Sequence, residues 1–376
     1  MFNRSKALRA AQKILAASAR CDALKGARLG QLARELPPPH GLRTAARRAS
    51  VLMDLATAAS REHDHPHAIA LLDEAEHLFD SVRASPGRNR WVAELLLRLG
   101  DDLRFAGRYT DCGEALTRAE KLADADTAYP LRLASVLNAR GILAKDTGHY
   151  DAALAHYGSA RSLIEAELGE DHPALAAVHH NLAGLLHAQE RYADAEEPAR
   201  HAVALRGQST SPDPEGLAAD LSVLGSVLLG LGRLDEAEQA YLQSKTVWME
   251  RYGPGHYEVA VQLNGLAAVH QARGDFEGAE RDFRQALHTK QRVLGAGHRE
   301  TAALLNNLGA LEMDRGHPDA AAQLYGKALL AFRKALGDDH PDTGLCAENL
   351  VRVRRQAGSR PGLGDHGNEH GAAVVQ

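Results

Sequence analysis

Asparagine occurs at nine positions in 376 residues, and six of them keep step with one another. Asn138, Asn181, Asn264, Asn306, Asn307 and Asn349 each fall two or three residues before one recurring position in the chain. An amide carries both donor and acceptor, so a row of them can pair with peptide groups of any sequence. It can equally pair with its own kind. Asn is a poor interior helix residue, because its amide competes with the backbone for hydrogen bonds. A cost repeated at one register implies a compensating interaction. Two readings stay open: a ladder gripping the backbone of an extended peptide, or bonds bridging adjacent repeats. Three of the amides, Asn181, Asn307 and Asn349, sit one residue later than the others, which turns them about 100° around a helix.

Other candidates share the stripe of the earlier asparagines: Lys145, His180, His187, Gln271, Arg352 and Arg355. The cations could pair with ligand carboxylates. Any one of them could equally be a solvated side chain. His180 and His187 are seven residues apart with no third ligand, and His63, His65 and His67 alternate within a turn without a Cys or carboxylate register, so no metal site is expected. No HExxH, GxSxG, GxGxxG after a strand, or GxxxxGK[ST] occurs, so neither enzyme chemistry nor a cofactor is expected.

These residues ride on a repeat. Gly100, Gly141, Ala183, Gly225, Ala267 and Gly309 are spaced by 41 or 42 residues. Seven residues after each stand Gly107, Gly148, Glu190, Gly232, Gly274 and Gly316. The next registers hold Cys112, Ala153, Ala195, Ala237, Ala279 and Ala321, then Leu116, Tyr157, Ala199, Tyr241, Phe283 and Tyr325. Small residues on two helices let the backbones cross closely, the glycine permits the turn, and the large residue fills the remaining gap. The joints recur too. Gly169-Glu170-Asp171-His172-Pro173, Gly253-Pro254-Gly255-His256, Gly295-Ala296-Gly297-His298 and Gly337-Asp338-Asp339-His340-Pro341 end one helix and are suited to cap the next, and the missing member falls near Ser211. Weaker copies flank the six, at Leu55 to Ala75 and at Asn349 to Val351.

The pattern resembles the tetratricopeptide repeat, best in Leu224-Gly225 with Ala237 and Tyr241, and in Leu308-Gly309 with Ala321 and Tyr325. The 42-residue period and His-Pro joints resemble the kinesin-light-chain-like subtype, also found in free-standing bacterial proteins and in STAND signalling ATPases. The resemblance covers residues 46–356. It implies an all-α fold, a right-handed superhelical solenoid of antiparallel helix pairs whose first helices line a concave groove. It also implies a cytoplasmic, non-catalytic adaptor in a bacterial regulatory context, binding a protein or extended peptide there through helix asparagines. The chain lacks the ATPase motif of the STAND proteins and the coiled coil of kinesin light chains.

Charge is asymmetric. Residues 1–50 carry eleven Lys and Arg against Asp22 and Glu35, while the whole chain has net charge -5. The apolar core of residues 14–17 is too short for a secretory signal. A transit peptide or a basic helical segment (residues 1–45) capping the array both fit, the latter being the plainer reading. A nucleic-acid regulator using this segment is the second function reading, although no recognition helix or stacking motif accompanies the charge. A noncanonical biosynthetic enzyme on the same scaffold is the third. Cys21, Cys112 and Cys346 form no CxxC pair, as in a reducing cytosol, and no run of about 18 apolar residues suggests a membrane partner. Residues 357–376, Gly-rich and aperiodic, read as a disordered tail.

Overall fold

A computed structural model describes residues 41–208 and 212–358. The basic segment up to residue 40, the loop at 209–211 and most of the tail lie outside the described residues. Fifteen α-helices and one 3-10 turn make up the described chain, with no strand among the described residues. The helices are α1 (Leu42–Arg61), α2 (His65–His77), α3 (Pro86–Phe105), α4 (Tyr109–Asp124), α5 (Pro130–Asp146), α6 (Tyr150–Leu168) and α7 (Ala176–Ala188). They continue as α8 (Tyr192–Gly207), α9 (Pro214–Gly230), α10 (Leu234–Tyr252), α11 (Tyr257–Ala272), α12 (Phe276–Leu294), α13 (Arg299–Asp314), α14 (Pro318–Leu336) and α15 (Pro341–Gly358).

Two compact units divide the chain, Met1–Leu143 and Ala144–Gln376, and the division falls inside α5. In the first unit α1 packs on α2 and α3 on α4. In the second, α7 pairs with α8, α9 with α10, α11 with α12 and α13 with α14, and α15 packs on α14.

The repeat registers explain the pairing. Ala153, Ala195, Ala237, Ala279 and Ala321 are all fully buried, and so are Tyr157, Tyr241, Phe283 and Tyr325. Tyr241 shows how the pieces fit. A Cβ on Gly225 would lie 3.1 Å from its ring, and one on Gly265 of the next first helix only 2.3 Å away. The ring is therefore wedged between two glycines, one from its own repeat and one from the next. Each turn between paired helices needs a left-handed residue, φ 80° at Gly274 and 77° at Gly316, and Glu190 takes the same conformation at 58°.

The joints follow one plan. Glycine ends the second helix, and the histidine three residues on caps the helix that follows. The backbone N–H groups of Glu258, Glu300 and Asp342 donate to Nδ1 of His256, His298 and His340 at 3.3, 3.3 and 3.1 Å. Ala174 does the same to His172 at 3.1 Å. Thr301 and Thr343 hydroxyls reach back to the carbonyls of Gly295 and Gly337 at 2.9 and 2.8 Å, tying the two sides of a joint.

The first unit uses its histidines structurally as well. His65 is buried, its Nδ1 2.8 Å from Asp102 Oδ1, with its ring stacked on Phe105 at 5.2 Å.

Candidate functional site

The middles of two first helices in the second unit, α11 and α13, are closed to solvent. Residues 262–269 of α11 are all buried, more than two helical turns, and so are residues 306–311 of α13. No side of α11 is exposed there.

Three of the six asparagines lie within these stretches, and a fourth, Asn349 of α15, is buried against them. Asn307 Nδ2 donates to Asn264 Oδ1 at 3.0 Å, and Asn349 Nδ2 to Asn306 Oδ1 at 3.1 Å. Arg352 continues the second chain, donating to Asn349 Oδ1 at 2.6 Å. Asn306 and Asn307 have no exposed surface, and Asn264 and Asn349 almost none. The geometry is therefore the bridging one, from α11 to α13 and from α13 to α15. It explains the two registers seen in sequence. Each bond joins residues 43 apart, one more than the period, so an earlier asparagine of one repeat meets a later asparagine of the next. Asn138, in the first unit, and Asn181, in the second, are half-buried.

The remaining candidates cluster where first helices end. Lys145 and His187 occupy the last turns of α5 and α7, Gln271 the last turn of α11, and the exposed Arg352 and Arg355 the end of α15. Lys145, His187, Gln271 and Arg355 are separated by 42 or 84 residues, so they form one row at equivalent points of their repeats. Gly184 of α7 lies beside the lysine, its Cβ position 3.6 Å from Lys145 Nζ, at ordinary contact distance. Burial, with help from the Lys145 charge, drops the His187 imidazole to about 4, so at neutral pH it is an uncharged donor and acceptor. Its ring lies 5.3 Å from that of Tyr192. Gln271 Nε2 donates to Asp314 Oδ2 at 2.6 Å, another bridge across 43 residues, while its Oε1 has no hydrogen-bond partner. The row thus holds cations, a neutral imidazole and, bonded to Gln271, the exposed Asp314 carboxylate.

His180 points elsewhere. Its Nδ1 is 2.9 Å from Asp220 Oδ1 on α9, and Asp220 also accepts from Arg206 Nε at 2.6 Å. Asp220 is buried, which two partners make affordable. The register that places Val178, Gln262 and Leu304 on neighbouring repeats places a charge at 220, and that departure was the readable signal for this cluster.

No group of three His, Cys, Asp or Glu side chains among the described residues could hold a metal ion. Cys112 and Cys346 are buried, and burial pushes the Cys346 thiol up to about 12, which keeps it unreactive. No helix among the described residues is long and apolar enough to cross a membrane.

Comparison with curated proteins finds no match. Among solved structures, the apo form of RapI is similar at TM-score 0.57, with 14% identity over 76% of this chain and 98% of that one. A Rap protein complexed with Competence and Sporulation Factor gives 0.55, with 12% identity over 95% and 99%. A STAND protein with a tetratricopeptide repeat sensor from Pyrococcus horikoshii gives 0.52, with 11% identity over 94% of this chain and 50% of that one. At these identities the likeness is one of fold. The tetratricopeptide repeat family model matches residues 132–208, 217–292, 259–330 and 300–360, more than half of the chain. Stacked helix pairs, wedged aromatics and the matched repeats agree, and the chain belongs to the tetratricopeptide repeat family.

Proposed function

We propose that the second unit is a non-catalytic interaction scaffold that holds a partner protein or extended peptide along the ends of its first helices. The observation that carries this reading is the row of Lys145, His187, Gln271 and Arg355, repeated at one register and left partly open while the middles of α11 and α13 are closed. A partner crossing several repeats would meet four polar groups along this register, with Leu229 and Met313 at the two positions between them. Lysine and arginine favour a partner bearing carboxylates, and the neutral His187 adds a hydrogen bond.

The Rap structure with Competence and Sporulation Factor and the repeat sensor of the STAND protein support a regulatory setting in which such a scaffold receives a signal molecule or partner. Adaptor binding in a concave groove fits the same row if first helices face the hollow. The four buried asparagines then serve by holding adjacent repeats in register, and the grip itself falls to the helix ends.

The test is site-specific photo-crosslinking in the source cell from a residue in the row and from one on the second helices of the pairs. A crosslink confined to the second helices would remove the proposal.

A further inference from the structure

In a stacked repeat each unit touches only its neighbours. The second unit departs from that rule at the end of α5. Asp146, the last residue of α5, is buried against residues far along the chain. Arg299 NH2 donates to its Oδ1 at 3.2 Å across 153 residues, and His340 Nε2 lies 3.1 Å from its backbone oxygen across 194 residues. The His340 ring accepts a backbone N–H at Nδ1, so Nε2 carries the proton and donates to the Asp146 carbonyl. Two residues on, Gly148 receives Pro341: a Cβ there would lie 2.7 Å from Pro341 Cδ. Tyr150 completes the contact, within the field of Asp342, Arg299 and Asp146.

The chemistry suits this helix end. The last carbonyls of a helix lack intrahelical partners and carry partial negative charge, to which the Asp146 carboxylate adds. An arginine and an imidazole N–H are the groups that such an end attracts. Nothing in the repeat pattern demands them: in the equivalent turns, a Cβ on Gly232, Gly274 or Gly316 would meet nothing within 4 Å.

We propose that this contact is a latch that keeps the second unit curled, joining the end of α5 to the starts of α13 and α15, and that its release is the motion by which the unit opens. The latch needs no partner and stands apart from the proposed binding row, although Lys145 is the residue next to Asp146 and would move with it. Opening changes the distance between the turn at 146–150 and the joint at 337–341 while the neighbour-to-neighbour stacking persists.

The test is a distance measured by electron paramagnetic resonance in the full chain, with spin labels at the exposed positions Ala152 and Asp339 and Cys21 replaced by serine. The parent should give one narrow distribution. Arg299→Glu, which sets two carboxylates together, should lengthen or broaden it, and the exchange Asp146→Arg with Arg299→Asp should restore it. Gly148→Ala should also open the latch. Gly274→Ala, with nearly the same backbone angle but open space around it, should leave the distance unchanged. Far-UV circular dichroism shows that each variant is folded, and Gly148→Ala provides a second route if Arg299→Glu is not. An unchanged distribution in folded Arg299→Glu and Gly148→Ala, or equal broadening in Gly274→Ala, would overturn the latch.

Discussion

At the scale of single residues, the asparagine bonds make a sharp energetic claim. Asn264 and Asn307 are buried and paired, so removing one strands a polar group in the interior, at a cost of roughly 1–3 kcal/mol. Asn307→Ala should lose about that much in urea unfolding. Asn264→Ala added to it should cost less than the sum, because the second change removes the stranded partner. Strict additivity would mean the bond carries no coupling energy. Sequence alone showed that these amides were not accidental but not what they bonded. The stagger between adjacent helices decides whether an earlier and a later asparagine meet, and stagger is a product of packing that a one-residue register difference does not reveal.

Histidine adds a pH dependence at the same scale. Burial first, then the neighbouring His201, lowers the His179 imidazole to about 4, and both its ring nitrogens lack hydrogen-bond partners. Its folded value is below the unfolded one near 6.5. The protein therefore keeps the full contribution above that pH and loses it as pH falls toward 4, by on the order of 2–3 kcal/mol. Unfolding free energies at pH 7.5 and pH 5 should differ accordingly, and His179→Leu should shrink the difference. An equal slope in the variant would assign the pH dependence to other groups, of which His187 is the first candidate.

Among the elements, the close helix crossing is the part most legible in sequence. The spacing of Gly225, Ala237 and Tyr241 announced a large ring beside small residues, and the ring is indeed sealed between Gly225 and Gly265. Gly265→Ala should cost at least about 2 kcal/mol in the unfolding free energy, since its methyl would overlap Tyr241 and the core has no room to yield. Gly158 gives the opposite expectation. It is mid-helix in α6 with nothing near its Cβ position, so Gly158→Ala should stabilise by about 0.5–1 kcal/mol. Comparable losses at both sites would indicate that the crossing is not what the glycines serve. The joint histidines were legible as joint residues because they recur beside glycine, and the cap through Nδ1 supplies the physical reason.

The whole molecule was legible as a repeat and much less so as a binding protein. Periodicity marks which residues share a face. It does not mark which faces become closed, and the buried stretch of α11 shows a first helix with no open side in its middle. The contact at Asp146 was invisible for a related reason: Arg299 and His340 lie 153 and 194 residues away and belong to no common register with it. What survives at this scale is a scaffold of the tetratricopeptide repeat family whose open polar groups stand in a row at helix ends.

That row can be questioned directly. A photo-reactive amino acid placed at Gln271 or Arg355 in the source cell should yield a discrete crosslinked partner, abolished by Lys145→Glu. The same residue at Arg281 or Arg284, exposed on the second helix α12, should yield none. Crosslinks from Arg281 and Arg284 with none from Gln271 and Arg355 would contradict recognition along the first helices.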